Sequence, residues 1–305
     1  MGPQKTESES GGRVVRKLLF ALFAAASIVA AVGNPQAQQS VTPSSRAHEV
    51  VQRGDVAIDV IVEGRGRLIV LLPSLGRDSE EFDPLAASIA AAGYRVLRPQ
   101  PRGYGRSAGP MQGITLHDAA KDVAAAIEHE HGGPAIVAGH AYGHFVAKMT
   151  AVDFPADVRA VVLVAAAQKN IDPQVRKWLA VATDPSQPEP ERLKHLQLVF
   201  FAPGHDPSVW LTGFHPDVQR AQELARDATP QAEYWAAGTA PILDIQAEYD
   251  PFRPRATADE LVAEFGSVRV STVLVRGASH ALPIENPGAV ADAIVSYAKS
   301  CGDRC

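Results

Sequence analysis

The chain has 305 residues, 46% hydrophobic and 21% charged, with 24 glycines and 23 prolines, an ordinary globular balance that excludes extended disorder and leaves ample apolar surface for a core. Its formal net charge of -5, with Lys and Arg scattered along the sequence, excludes the basic footprint of a nucleic-acid partner. The two cysteines, Cys301 and Cys305, fall in the last five residues, so the core is no disulfide scaffold; a terminal bridge and a pair of free thiols both fit them.

Residues 1–40 read as a signal peptide and linker. Arg13, Arg16 and Lys17 precede an apolar, Ala-rich run over 18–32, and Gly33 and Ala37 offer cleavage points. A run of about 15 residues is short of the roughly 20 a membrane helix needs. The expectation is an exported protein, periplasmic or secreted, free of the membrane once the leader is cut; an uncleaved anchor is the alternative.

Alternating patterns then predict a hairpin over 48–52 and 56–63. Apolar strand runs at 68–73, 94–98, 135–139 and 158–165 alternate with amphipathic helices at 85–92, 116–129 and 142–153. Buried strands joined by helices of roughly 10 to 15 residues mean βαβ units and a mostly parallel sheet covered on both faces. The rhythm breaks over 167–240, where Pro-punctuated helical pieces (172–182, 190–200, 216–227 and 230–236) follow one another without a strand. It resumes with a strand at 242–247, a helix at 256–265, a strand at 269–276 and a last helix at 287–299. The organisation is thus an α/β core over 48–166 and 241–300 with a helical cap insertion over 167–240.

Five segments carry chemistry. The strand of PAIVAGHAYGHFVA (134–147) enters a helix through Gly139-His140-Ala141-Tyr142-Gly143. Small residues two before and two after the centre permit the tight turn that lifts a central side chain above a sheet, at a helix N-terminus that favours negative charge. The others are LIVLLPSLG (68–76), PRGYGRS (101–107), EYDPFRP (248–254) and GASHALPIENP (277–287).

In this order and spacing the five segments resemble the α/β-hydrolase superfamily, in its cap-bearing branch, over about residues 48–300. The resemblance implies an α/β-hydrolase fold, with Asp250 as the triad acid and His280 as the general base. Such an aspartate fixes the imidazole tautomer and stabilises the imidazolium that forms. It implies an oxyanion hole from the amides of Leu75 and Tyr142. The chain departs from the pattern in three places: Pro73-Ser74 stands for His-Gly, Gln100 for Asp, and Ala141 for the nucleophilic serine.

Alanine has no atom to attack with. Three readings follow: an engineered serine-to-alanine change; an enzyme whose Asp250/His280 dyad activates water, or takes a substrate proton in lyase or isomerase chemistry; and a non-catalytic ligand-binding relative. Ser74, at the mouth of the oxyanion loop, is either a displaced nucleophile or oxyanion donor, or a serine that satisfies its own turn. His140 precedes the elbow centre as in the family. His140 and His144 are four apart across a Gly-rich turn without the metalloprotease Glu, which argues against a metal site. The tryptophans Trp178, Trp210 and Trp235 all fall in the insertion. They are expected either to pack the cap onto the core or, with His140, to line an apolar substrate pocket. No phosphate frame or other cofactor motif is present, so the expected partner is a small-molecule substrate. An esterase- or lactonase-like hydrolase of a small apolar ester, lactone or related carbonyl compound is the reading this supports.

Overall fold

Strand and helix runs in alternation build one mixed sheet in the computed structural model, which describes Gly2 and residues 46–301. The signal-peptide expectation, and Cys305 of the terminal pair, lie outside the described residues. The strands are β1 (Ala47–Arg53), β2 (Val56–Gly64), β3 (Leu68–Leu72), β4 (Arg95–Pro99), β5 (Ala135–His140), β6 (Val158–Val164), β7 (Ile242–Ala247) and β8 (Val270–Val275). They lie in the order β1-β2-β4-β3-β5-β6-β7-β8. The β1–β2 hairpin and the β2–β4 pair are antiparallel, and from β4 to β8 every pair is parallel. β3, β5 and β7 are buried at every residue, as strands covered on both faces must be.

The helices are α1 (Asp83–Ala91), α2 (Leu116–His129), α3 (Gly143–Asp153), α4 (Pro173–Thr183), α5 (Glu189–Val199), α6 (Pro216–Asp227), α7 (Gln231–Tyr234), α8 (Glu260–Phe265), α9 (Leu282–Glu285) and α10 (Pro287–Cys301). Two apolar layers sandwich the sheet. One gathers Val70, Val137, Val161 and Leu163 with residues of α2 and α3; the other gathers Ile69, Val96, Val162 and Ile245 with residues of α1 and α10. The fold is that of an α/β-hydrolase.

Between β6 and β7 the described chain is helical, from α4 to α7. A third apolar cluster there joins Leu196, Val199, Phe200, Phe201 and Trp210 to Phe252 and Ala281 of the core loops. The helix expected over 256–265 is a 3-10 turn, Arg255–Thr257, followed by the shorter α8. Arg253 breaks the segment by donating from Nε to the Thr257 carbonyl at 3.0 Å and from Nη2 to the Ala258 carbonyl at 3.2 Å, drawing both out of a helical ladder. The piece expected over 230–236 shortens to α7, ended at Ala237 by a φ of 52°. The sequence pattern does not predict the 3-10 turns Glu80–Phe82 and Pro207–Trp210, nor α9, a single turn with Pro283 at its start.

Candidate active site

The site begins at the junction of β5 and α3. Ala141 takes a φ of 46°, in the left-handed region that a residue with a Cβ occupies at a cost of roughly 1 kcal/mol or more. Its amide is held by the Val164 carbonyl at 3.1 Å, and its own carbonyl accepts the His144 N–H at 3.0 Å. The flanking glycines are demanded by contact. A Cβ on Gly143 would stand 2.5 Å from the Leu72 carbonyl oxygen, and one on Gly139 would run into the Gly143 carbonyl. The turn is therefore a strained elbow that presents residue 141 above the sheet.

Beside it stands the expected base. His280 Nδ1 lies 3.0 and 2.9 Å from the two carboxylate oxygens of Asp250, and both side chains are almost fully buried. Asp250 Oδ1 also accepts the Phe252 N–H at 2.8 Å, which fixes the carboxylate in the loop after β7. Donation from Nδ1 leaves Nε2 as the basic nitrogen. The Phe252 ring lies against the imidazole at a centroid distance of 4.0 Å. The two loops are laced together: Tyr249 N donates to the Ala278 carbonyl at 3.0 Å, and Ser279 Oγ to the Tyr249 carbonyl at 3.1 Å.

A cavity opens over the elbow, and Ser74, Leu75, Ala141, Tyr142 and His280 all line it. The structure thus brings together the elbow centre, the dyad histidine and both residues whose amides the resemblance places in an oxyanion hole. The loop bearing Leu75 is clamped from the cap, since Gly76 N donates to Gln222 Oε1 on α6 at 2.7 Å. Gln100, where the family has Asp, holds the same loop further on: its Oε1 accepts the Ser79 N–H at 2.8 Å and the Ser79 hydroxyl at 3.0 Å.

The expected pocket residues lie elsewhere. None of His140, Trp178, Trp210 and Trp235 lines this cavity. Each large ring has found a partner in the packing instead. Trp210 is buried among Phe200, Phe201 and Phe214, with the Arg77 guanidinium 4.4 Å from its ring centre. Trp235 donates from Nε1 to Glu264 at 2.7 Å and receives the Lys148 ammonium 4.0 Å above its ring. Trp178 packs on the edge of the third cluster. His140 donates from Nε2 to the His280 carbonyl at 2.7 Å, beneath the dyad; burial, then the neighbouring His280, pushes its pKa down to about 3, so it is a neutral brace.

Other side chains supply the walls: Phe145, Phe200 and Phe252, Ile171 and Leu179, the polar His144, and at the cap side Arg176 and Arg226. His144 is fully buried with no hydrogen-bond partner at either ring nitrogen, and burial, with Lys148 next, drives its pKa well below the ordinary histidine value. Its position three residues past the elbow centre was the signal for it in the sequence. The arginines carried no such signal, because helical spacing does not tell which end of a cap helix faces the core.

The family model described as serine aminopeptidase, S33, matches residues 65–287, a stretch that holds the elbow, the acid loop and the histidine. A curated relative, "Putative carbamate hydrolase RutD" of Variovorax paradoxus (strain S110), is 32% identical over 105 residues, which are 34% of this chain and 40% of that protein. Among solved structures, the esterase EaEST from Exiguobacterium antarcticum superposes with a TM-score of 0.69 at 19% identity, covering 83% of this chain and all of that one. Rv0554 from Mycobacterium tuberculosis gives 0.67 at 22% identity, over 84% of this chain and 99% of that one.

Proposed function

The chain belongs to the family described as serine aminopeptidase S33, within the α/β-hydrolases, and on that premise we propose that it hydrolyses a small ester, lactone or related carbonyl compound by activating water. The observation that carries this reading is the buried Asp250–His280 pair, bonded at 2.9 Å and facing a cavity floored by Ala141. A serine there would fill the space between Nε2 and the acyl carbon; with alanine the space suits a water. Nε2 takes the proton of that water while its oxygen bonds the acyl carbon. The tetrahedral oxyanion is met by the amides of Leu75 and Tyr142. The carbon–oxygen bond to the leaving group then breaks, and the same proton passes to the departing alkoxide.

Turnover of aryl esters and lactones by the wild type and by His280→Ala tests this, with the products formed in heavy-oxygen water. The expected result is one solvent oxygen in the acid product and a fall on the order of a hundredfold or more in the variant. Equal turnover in both proteins, or none in either, overturns the reading. A product free of solvent oxygen assigns the dyad to lyase or isomerase chemistry instead. Ala141 itself favours a second reading, a ligand-binding protein without turnover, for which retention of a ligand from the same panel with no product is the signature.

A further inference from the structure

The cavity over the elbow is apolar on most of its wall, and two arginines but no aspartate or glutamate line it. Arg176 lies on α4, three residues from Leu179, so both fall on the face that α4 turns to the cavity. Arg226 reaches the cavity from the end of α6. Arg176, Leu179 and Arg226 also line an outer groove with Asp184, Asp217 and Glu223. The two arginines therefore stand at the neck between that groove and the chamber holding His280. The acids stay outside. Asp184 is occupied by Ser186 and Gln187, and Glu223 by Gln219.

The two cations are poorly matched within the protein. Among the described residues Arg226 forms its ion pair with Asp227, its exposed neighbour in sequence, at 2.9 Å from Nε and 2.8 Å from Nη2. Arg176, exposed on α4, makes no ion pair among the described residues. The chamber is thus bordered by arginine at its neck and apolar along the rest of its wall.

We propose that the substrate of this site bears a carboxylate, held by Arg176 and Arg226 at the neck while its reacting carbonyl faces His280. The substrate class is a half-ester or carboxylated lactone with a short aliphatic spacer. Guanidinium groups suit this role because their planar donors match a carboxylate two by two. The assignment rests on the dyad reading only for where the carbonyl stands; the anion site itself requires no turnover.

Calorimetric titration of the full chain with glutarate at neutral pH tests it, beside the kcat/KM ratio of monomethyl glutarate to methyl butyrate. Glutarate is expected to bind, and Arg176→Gln and Arg226→Gln each to weaken it about tenfold, as loss of a charge-assisted hydrogen bond does. The kcat/KM ratio is expected to fall alongside. Both side chains are solvent-reaching, and an unchanged far-ultraviolet spectrum controls for folding. Absence of glutarate binding or equal affinity in the variants overturns the anion site, and inorganic phosphate bound in glutarate's place overturns the carboxylate assignment. Turnover of neutral esters without glutarate binding sinks this proposal and leaves the dyad standing. Glutarate binding that the variants weaken, with no ester consumed, supports the anion site and sinks the dyad.

Discussion

Glu285 accepts the backbone N–H of Ser279 at 2.6 Å, with Oε2 on α9 fixing the residue just before the dyad histidine. Its other oxygen accepts the Ala202 N–H at 2.6 Å, and Ala281 N donates to the Phe200 carbonyl at 2.7 Å. One half-buried carboxylate thus fastens the histidine loop to the cap. Burial holds its pKa above the ordinary glutamate value, against the pull of the two amides. Glu285→Ala is expected to cost about 2 kcal/mol in urea unfolding, the scale of a hydrogen bond to a charged group. Faster hydrogen exchange at Ser279 and Ala202 and roughly a tenfold fall in kcat should accompany it. Unchanged exchange at both amides would show that the carboxylate fastens nothing.

The elbow retains the geometry of a reactive residue, so Ala141→Ser is expected to place a hydroxyl beside His280 without moving the backbone. The variant should then be labelled by a fluorophosphonate, with the mass on the peptide containing residue 141, while the wild type is not. Ala141→Gly, at a φ of 46°, should stabilise the fold by up to about 1 kcal/mol in the same unfolding assay. A serine variant that is folded and inert to the reagent would place Nε2 out of reach of the elbow.

Lys148, one turn beyond His144 on α3, is fully buried with no hydrogen-bond partner at Nζ. Burial brings its pKa down from 10.5 to about 7, despite the opposing pull of Asp244. The unfolded chain therefore holds more protons than the fold between about pH 7 and 10.5, and stability rises with pH across that window. Lys148→Met should be more stable than the wild type by about 1–4 kcal/mol at pH 7 and below, the range for apolar replacement of buried charge. The difference should fade as the pH approaches 10.5. A constant difference across these pH values in chemical denaturation would mean that Lys148 binds its proton as tightly in the fold as in the unfolded chain, and that burial has not lowered its pKa.

The succession of strands and helices along the chain and the sharp turn at the elbow were legible because each is written locally. An apolar run followed by Gly-x-x-x-Gly can only turn sharply, as Leu72 and Gly143 show by leaving no space for a side chain between them. The pairing of Asp250 with His280, thirty residues apart, was legible only through resemblance. The cavity walls were not legible at all. Which aromatic residue faces a ligand depends on which indole first finds a partner, and Trp235 found Glu264 and Lys148. Phe200 and Phe252, with no polar atom to satisfy, were left to line the chamber. Arg98 makes the same point in the core, where an arginine inside a strand is buried by pairing with Glu63 at 2.7 Å and Asp83 at 2.5 Å.

The left-handed backbone at Ala141 also bears on how such a chain changes over generations. Alanine and serine codons stand one base apart, and the conformational penalty at this position is borne by the alanine already. Gain or loss of a nucleophile is then a single mutational step that disturbs neither the sheet nor the dyad. A lineage carrying this elbow can acquire or lose a hydroxyl at residue 141 without an unfolded intermediate on the way.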